Sequence, residues 1–390
     1  MRRATWKFVN TAFATALGIL CVPHSASAQS NLLQPDIPVT PYNPYPALPN
    51  STPPSVLPPD LQPEIYRIRR EVQLIFDRYF AEWEALAPTT LTGNPPTLFP
   101  NGYDANRILG GLLNYDETMS PFNNEACAFC HMPYTGFSGP IPSVNLTMVA
   151  YPGSYRYRAG KRTAQRYTYS PRFPVLHLNQ AKNPQRGGTF TGGNFWDGRS
   201  TGFLLQSPDA EQAQHPPVDP LEMGNPDTAC IAWKISQAPY RPLFELVWGA
   251  DFDIAWPGNV AQVCGTPNGA FGTNATPVTL SPEDRTRANN IYDHWGQSIS
   301  FLESSNDISP FTSKVDRRAQ GTYTATPTEA AAIALFGGKA DCNSCHLDGL
   351  SSTRNGGTDT GTPVDTEPLF TCFGYSNLGL PLNPQGLHLL

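Results

Sequence analysis

Two copies of one short motif constrain this chain more than any other feature. The pattern Cys-x-x-Cys-His occurs at residues 127–131 (CAFCH) and again at residues 342–346 (CNSCH). On one helical turn, two thiols three residues apart can each add to a vinyl group of one haem, and the adjacent histidine then meets the iron. The predicted attachment residues are Cys127, Cys130 and His131 for one covalent c-type haem, and Cys342, Cys345 and His346 for a second.

A zinc site and a thioredoxin-like redox pair are the competing interpretations of these motifs. Zinc would need further ligands for each cysteine pair, and a histidine directly after the second cysteine is not the usual zinc spacing. A redox pair favours a βαβ context, of which the sequence shows no sign. Two copies behind an export signal therefore favour haem attachment, and two haems indicate a redox protein.

The N-terminus predicts the compartment. Residues 1–28 have a basic start, a short apolar stretch and the small residues Ala26-Ser27-Ala28 before Gln29, which is the pattern of a cleavable secretory signal. The apolar stretch is too short and interrupted for a membrane anchor, and no later run reaches the length of a membrane span. We therefore expect export to the periplasm and no stable membrane span.

Export also determines how the remaining cysteines are interpreted. Of eight cysteines, Cys21 leaves with the signal and four serve the two haems. An oxidising compartment makes a disulfide between Cys230 and Cys264 plausible, closing a long loop. Cys372 is then left over.

Composition and periodicity predict a mainly α chain with extensive loops. The 41 prolines and 32 glycines exclude a coiled-coil or long-helix protein. A net charge of -6 lacks the basic footprint of a nucleic-acid binder. Residues 132–195 are rich in Gly, Pro, Tyr and Ser and predict long loops, and almost no segment alternates as a strand would. Apolar spacing predicts helices over residues 64–87, 105–115, 282–303 and 327–336, with Ser281 and Thr326 as N-caps.

Several longer motifs resemble the bacterial di-haem cytochrome c peroxidase and MauG-type family from about residue 104 to the end. They follow one another in the family's order. They are LGGLLNYDETMS at 109–120, FWDGR at 195–199, QAQHP at 212–216, DPLEM at 219–223, LFGGKADCNSCH at 335–346 and LFTCFGYSNLGLP at 369–381.

The resemblance implies a role for each matching residue. The N-terminal haem, with His131 as proximal ligand, would react with peroxide, and the C-terminal haem, with His346, would pass electrons to it. Glu222 would be the distal acid–base residue, because O–O cleavage needs a proton moved from the near oxygen to the leaving one. Gln212 would orient peroxide or water, and Trp196 would relay electrons between the haems.

Several of these residues also have simpler interpretations. From sequence alone, Trp196 is more often a core aromatic, and only the resemblance makes it a relay. Arg199 would neutralise a haem propionate or pair at the surface, and Met223 would serve packing. Four other histidines are candidate distal ligands or ordinary polar residues. They are His177, His215, His294 and His388, of which His215 lies inside the distal-pocket motif.

Two features depart from the family pattern. The family's calcium-binding asparagine is replaced by Thr163, a weaker oxygen ligand, so calcium stays an open cofactor. No methionine follows His346, so a methionine ligand to the second iron cannot come from this region. Tyr375 or His388 would substitute, or the site would be open, or the chain would be a shortened product, which is the interpretation we favour.

These observations predict two cytochrome c-like haem domains and one leading function. The expected segments are a signal peptide at 1–28, a proline-rich tether at 29–63, the peroxidatic haem domain at 64–320 and a partial electron-transfer haem domain at 321–390. The leading function is reduction of hydrogen peroxide with electrons from a small donor cytochrome or cupredoxin. MauG-like oxidation of a partner protein and a non-catalytic electron carrier are the alternatives, and a homodimer is left open.

Overall fold

The fold is known from a computed structural model that describes most of the chain after the tether. It describes residues 62–90, 105–142, 144, 151–156, 158, 160, 162–180, 187–267, 269, 276–347 and 369–375. The predicted signal peptide, the tether up to residue 61, and His388 lie outside the described residues.

The described elements are mainly helices, which confirms the predicted mainly α class. The helices are α1 Gln62–Thr90, α2 Ala105–Tyr115, α3 Cys127–Cys130, α4 Pro208–Ala213, α5 Ala229–Gln237, α6 Arg241–Trp248, α7 Val260–Cys264, α8 Pro282–Ser304, α9 Lys314–Ala319 and α10 Pro327–Gly337. Two short strands are β1 His177–Asn179 and β2 Thr189–Thr191. No described helix is long and apolar enough to cross a membrane.

The four predicted helices are confirmed, with ends that differ by up to three residues. The predicted caps are also confirmed: the Ser281 hydroxyl accepts a hydrogen bond from the Asp284 N–H, and Thr326 accepts one from Glu329. The apolar face of α1 is packed as the periodicity predicts. Its fully buried members are Ile65, Ile68, Val72, Phe76, Tyr79 and Trp83, and Ile75 and Phe80 are half-buried.

Helix α8 is the centre of the core, where it packs against α2, α4 and α5. Helix α2 approaches α8 closely because it carries Gly110 there. A Cβ atom at Gly110 would lie 2.3 Å from the carbonyl oxygen of Ser298, which is a clash. The next residue, Gly111, faces the ring of Tyr79 on α1 in the same way, so adjacent glycines let α2 fit between α1 and α8.

The predicted disulfide is confirmed. Cys230 on α5 is bonded to Cys264 on α7, with a Cα–Cα distance of 5.3 Å, and both cysteines are buried in the hydrophobic core.

A small hairpin lies in the region that the sequence predicted as loops. Strands β1 and β2 pair antiparallel, with His177 opposite Thr191. Residues 371–375 join its edge: Gly374 forms a β-bridge with Thr191, and the Tyr375 N–H donates to the Phe190 carbonyl at 3.0 Å. The segment that follows the second Cys-x-x-Cys-His motif is therefore hydrogen-bonded to the middle of the chain.

Candidate functional site

The first cysteine motif forms the single turn α3, and a buried ion pair fixes the residues before it. The Ser120 hydroxyl accepts the backbone N–H groups of Asn124 and Glu125, both at 3.0 Å. The guanidinium of Arg156 pairs with Glu125 and donates to the Asn124 carbonyl at 2.6 Å. Its carbon lies 4.5 Å from the centre of the Phe129 ring, so one arginine holds the approach to α3 and part of α3 itself.

His131 is oriented as a metal ligand would be. Its Nδ1 lies 3.0 Å from the Phe137 carbonyl oxygen, which can only accept, so Nδ1 carries the proton and Nε2 is left with its lone pair. The ring also stacks on Tyr167, with centroids 4.7 Å apart. Burial lowers the pKa of His131 to about 4, so the imidazole is neutral at pH 7. The turn that returns the carbonyl passes through Gly136 and Phe137, both with positive φ.

The second motif repeats this arrangement. Its cysteines flank a 3-10 turn, Cys342–Ser344, directly after α10. The Nδ1 atom of His346 lies 3.0 Å from the carbonyl oxygen of Phe370, and Phe370 has a φ of 54°, close to the 61° of Phe137. In both motifs, therefore, a phenylalanine in the left-handed region presents its carbonyl to the histidine and leaves Nε2 for iron.

A cavity of about 590 Å³ opens beside the first motif, a size typical of cofactor sites. It brings together six of the nine predicted catalytic and haem-attachment residues, whereas the three of the second motif do not line it. The six are Cys127, Cys130, His131, Trp196, Gln212 and Glu222.

Glu222 reaches the cavity from a turn that is held by its backbone. Its N–H donates to the Asp219 carbonyl at 3.0 Å, and its own carbonyl accepts from the Ser154 N–H at 2.8 Å. A Cβ atom at Gly153 would lie 2.3 Å from that carbonyl oxygen, so this close approach requires glycine. Met223 is buried beside it, as predicted, and it also lines the cavity.

Trp196 is exposed, with 63% of its surface accessible, so the core-aromatic interpretation is wrong. It lies in a loop built around Asp197, which pairs with Arg162 and with Arg199 at 2.9 Å each. Partial burial opposes ionisation of Asp197, but the hydrogen bonds from these arginines outweigh it and hold its pKa below the ordinary value. The guanidinium carbon of Arg199 lies 3.5 Å from the centre of the Phe195 ring.

Gln212 lies on α4, whose start is fixed by its cap. The Ser207 hydroxyl accepts from the Ala210 N–H, and Glu211 accepts the N–H groups of Gly202, Leu204 and Leu205. These bonds tie the preceding loop to α4.

Only one of the other described histidines reaches the cavity. His215 lines it and packs edge-on against Phe195, with ring centres 5.2 Å apart. His177 is exposed and bonds the Val175 carbonyl, and His294 stacks on Trp248 at 4.4 Å. His388 lies outside the described residues.

The structure adds residues that no sequence motif indicates. Tyr167, Ser170 and Glu303 also line the cavity, and the buried Asp209 is bonded to Ser170 behind its wall. They come from segments far apart in the chain and belong to no motif, so only the fold brings them together.

The cavity suits a haem. Two cysteine thiols and a histidine with a free Nε2 line it. Arg162, Arg166 and Arg199 also line it and offer cations for the carboxylate groups of a haem. Gln165 Oε1, also at the wall, is buried without a hydrogen bond in the described part of the chain. Burial raises the pKa of Cys127 to about 12, the opposite of the lowered pKa of a redox-active Cys-x-x-Cys thiol.

Calcium stays open as a cofactor. Thr163 lies at the cavity wall and is exposed. The described residues contain no group of three or more His, Cys, Asp or Glu side chains that could hold a metal ion.

Comparisons with known proteins agree with this site. A family profile described as di-haem cytochrome c peroxidase matches residues 104–264. The methylamine utilization protein MauG of Paracoccus denitrificans is 27% identical over 281 residues, which are 72% of this chain and 58% of that protein.

Two crystal structures show the same fold. The diheme peroxidase BthA of Burkholderia thailandensis is 24% identical, with a TM-score of 0.50 over 77% of this chain and 59% of that one. A variant of BthA gives a TM-score of 0.51 at 24% identity, over 76% of this chain and 58% of the other. The chain thus spans less than two thirds of the length of each of these relatives. The chain is thus similar to the di-haem cytochrome c peroxidase family over residues 104–264 and to MauG over 281 residues.

Proposed function

We propose that this chain is an exported di-haem peroxidase that reduces hydrogen peroxide to water in the cavity beside His131. The observation that carries the proposal is the cavity itself. His131, a neutral histidine with a free Nε2, lines it together with Glu222 and Gln212. The reaction consumes one peroxide, two electrons and two protons and gives two waters. A haem bound there would supply the iron centre that accepts the peroxide oxygen and stores oxidising equivalents.

Glu222 and Gln212 supply the proton chemistry in this proposal. The carboxylate of Glu222 takes the proton from one peroxide oxygen and returns it to the other, which departs as water. Gln212 offers an amide that donates to one oxygen and accepts from the other, which fixes the orientation of the peroxide. The backbone contacts of Glu222 with Ser154 and Gly153 support this role because they fix the backbone from which the carboxylate extends.

Electrons enter at the second motif and pass to the first. The segment 369–375 supports a path between the two regions because it touches both. Its Phe370 carbonyl holds His346, and the Tyr375 hydroxyl lies against Gly198, two residues from Trp196. Trp196 then relays electrons towards the cavity that it lines.

The donor is a small cytochrome or cupredoxin, and the compartment is the periplasm. The disulfide between Cys230 and Cys264 supports an oxidising compartment, where such bonds persist.

One observation favours the MauG-like alternative, in which peroxide drives oxidation of a partner protein. Trp196 both lines the cavity and is largely exposed, so an oxidising equivalent could leave the protein there. A mass change in a partner protein after peroxide treatment would identify this activity, whereas a non-catalytic electron carrier would show neither reaction.

Glu222→Gln tests the leading proposal. Loss of the acid–base carboxylate should lower peroxide-dependent oxidation of a reduced donor cytochrome by roughly 10²-fold or more. The partly exposed Glu245→Gln on α6 is the matched control, and its rate should equal that of the wild type. An unchanged rate in Glu222→Gln would remove this carboxylate from the mechanism.

A further inference from the structure

A buried acidic pair lies at the cavity wall, outside the machinery described so far. Asp209 begins the first turn of α4 and Glu303 ends α8, and they are 1% and 2% exposed. Ser170 and Asn194 come from two other segments and are also buried. Glu303, Ser170 and Asn194 line the cavity, so four distant segments place two carboxyl groups beside it.

Counting hydrogens shows that this cluster needs a proton. The Ser170 hydroxyl oxygen lies 2.7 Å from the Tyr167 carbonyl oxygen, 3.0 Å from Glu303 Oε2, and within hydrogen-bond reach of Asp209 Oδ1. The hydroxyl has one hydrogen to give, and the carbonyl has none. The hydroxyl can therefore donate to only one of the three oxygens, and a second of these contacts is a hydrogen bond only if a carboxyl group carries a proton.

The free oxygen of Asp209 indicates where that proton lies. Asn194 donates to Asp209 Oδ1 at 3.2 Å, as it would to a carboxylate. Asp209 Oδ2 is buried and has no hydrogen bond of its own in the described part of the chain. Because the side chains of Glu303 and Asp209 are within hydrogen-bond reach of each other, the proton that this oxygen lacks lies between the two carboxyl groups.

The electrostatics agree with this assignment. Burial, and then the neighbouring charge of Asp209, raise the pKa of Glu303 well above its ordinary value. Burial also raises the pKa of Asp209, although hydrogen bonds from Glu303, Ser170 and Ser300 oppose the rise. Among the described residues, no Lys, Arg or His side chain offsets either group. Two such groups in contact cannot both ionise without a large cost.

We propose that Asp209 and Glu303 share one proton and that Glu303 delivers it to the cavity during peroxide reduction. The inference rests on the proposed function, because Glu222 only moves a proton that peroxide brings with it. Two further protons must enter for each peroxide reduced. Glu303 gives these two protons to the remaining oxygen atom one at a time as the two electrons arrive; each time the pair becomes doubly anionic, and a proton from solvent restores it.

Glu303→Gln tests the shared proton. The amide can donate to Asp209 as the acid does, so the variant should fold, but it cannot release a proton. Infrared spectra of the haem-loaded wild type should show the C=O band of a buried carboxylic acid, and the band should be absent in Glu303→Gln. Glu283→Gln, at an exposed position on the same helix, should keep the band. A wild type without the band overturns the proposal.

Turnover tests the delivery step. Glu303→Gln should lower peroxide turnover roughly 10²-fold, at the lower end for loss of a proton donor, and Glu283→Gln should not change it. If Glu303→Gln fails to fold, Asp209→Asn is tested in its place. This variant should shift the C=O band of the carboxylic acid, and it should also lower peroxide turnover. Equal turnover in Glu303→Gln and Glu283→Gln overturns delivery. A wild type that shows the band but reduces no peroxide would overturn the proposed function and leave the shared proton standing.

Discussion

The two Cys-x-x-Cys-His regions differ in their surroundings far more than in their local geometry. In both, histidine Nδ1 lies 3.0 Å from the carbonyl of a left-handed phenylalanine. The first motif lies within the hydrophobic core, which extends among the described residues from Ile65 to Ile308. In the second, Cys345 and His346 are exposed, and α10 has no buried residue.

This difference suggests a division of roles. A motif needs only a short loop and one carbonyl to orient its histidine, and the surrounding fold then decides what chemistry the site can do. Burial beside a cavity excludes bulk water from reactive oxygen, whereas exposure brings an iron ligand near the surface, where a donor protein can approach. The proposed direction of electron flow follows this contrast.

Removing the cysteines of each motif should give the largest and most different effects. The double variant Cys127→Ala with Cys130→Ala should lose one covalent haem and all measurable peroxide turnover, because the cavity then holds no attached cofactor. Cys342→Ala with Cys345→Ala should lose the other haem and donor-dependent turnover but keep the thermal unfolding of the core. Intact-protein mass and calorimetry measure both, and an equal loss of core stability in the two variants would break the comparison.

The ion pairs of the two regions should differ in the same sense. Arg156→Ala should lower the free energy of unfolding by about 3–5 kcal/mol, because it leaves Glu125 buried without its partner. Lys314, on α9, is the exposed partner of Glu329 on α10. Lys314→Ala should leave the free energy of unfolding unchanged within error. Denaturant titration compares them, and equal effects would argue against a structural role for the buried pair.

A buried lysine should make the first region sensitive to pH. Lys234 donates to the Thr118 and Ser120 carbonyls at 2.7 Å, just before the first motif. Burial lowers its pKa to about 7, and the carboxylate of Asp116 opposes the shift only in part. In the unfolded chain the ordinary value of 10.5 applies, so between these values the unfolded state holds more protons.

Stability should therefore rise with pH across this window, by up to about 1.4 kcal/mol per pH unit. Lys234→Met should flatten this rise, whereas Lys339→Met, at an exposed position in the second region, should keep it. Denaturant titrations between pH 7.5 and 9.5 measure the slope. A wild-type slope equal to that of Lys234→Met would show that the lysine stays charged in the fold.

The sequence predicts the long helices well because their apolar periodicity and caps are local signals. Ser281 and Thr326 precede prolines and acidic residues, and each begins its helix as expected. The helices α4 to α7 and α9 were not predicted, because five to nine residues are too few to show a periodicity. The β1–β2 hairpin was missed for the same reason, since each strand has only three residues.

The residues of the candidate site likewise divide into those with a sequence signal and those without one. Cysteine spacing indicates both haem attachments, and the family resemblance indicates Trp196, Gln212 and Glu222, which the structure places on one cavity. Asp209 and Glu303 were missed because a buried acidic pair has no sequence signature. A left-handed conformation at Phe137 and Phe370 was equally unforeseeable, since bulky residues avoid it and glycine is the usual choice.

The docking of residues 371–375 on the hairpin has a mechanical consequence. The Phe370 carbonyl that orients His346 stands four residues before Gly374, which is bridged to Thr191, and the Phe373 carbonyl accepts from the Gly192 N–H at 2.9 Å. A displacement of the hairpin would therefore pull on the hydrogen bond that sets the tilt of the second imidazole. Binding of a protein at the hairpin would in this way change the orientation of the imidazole of His346, the proposed ligand of the second haem.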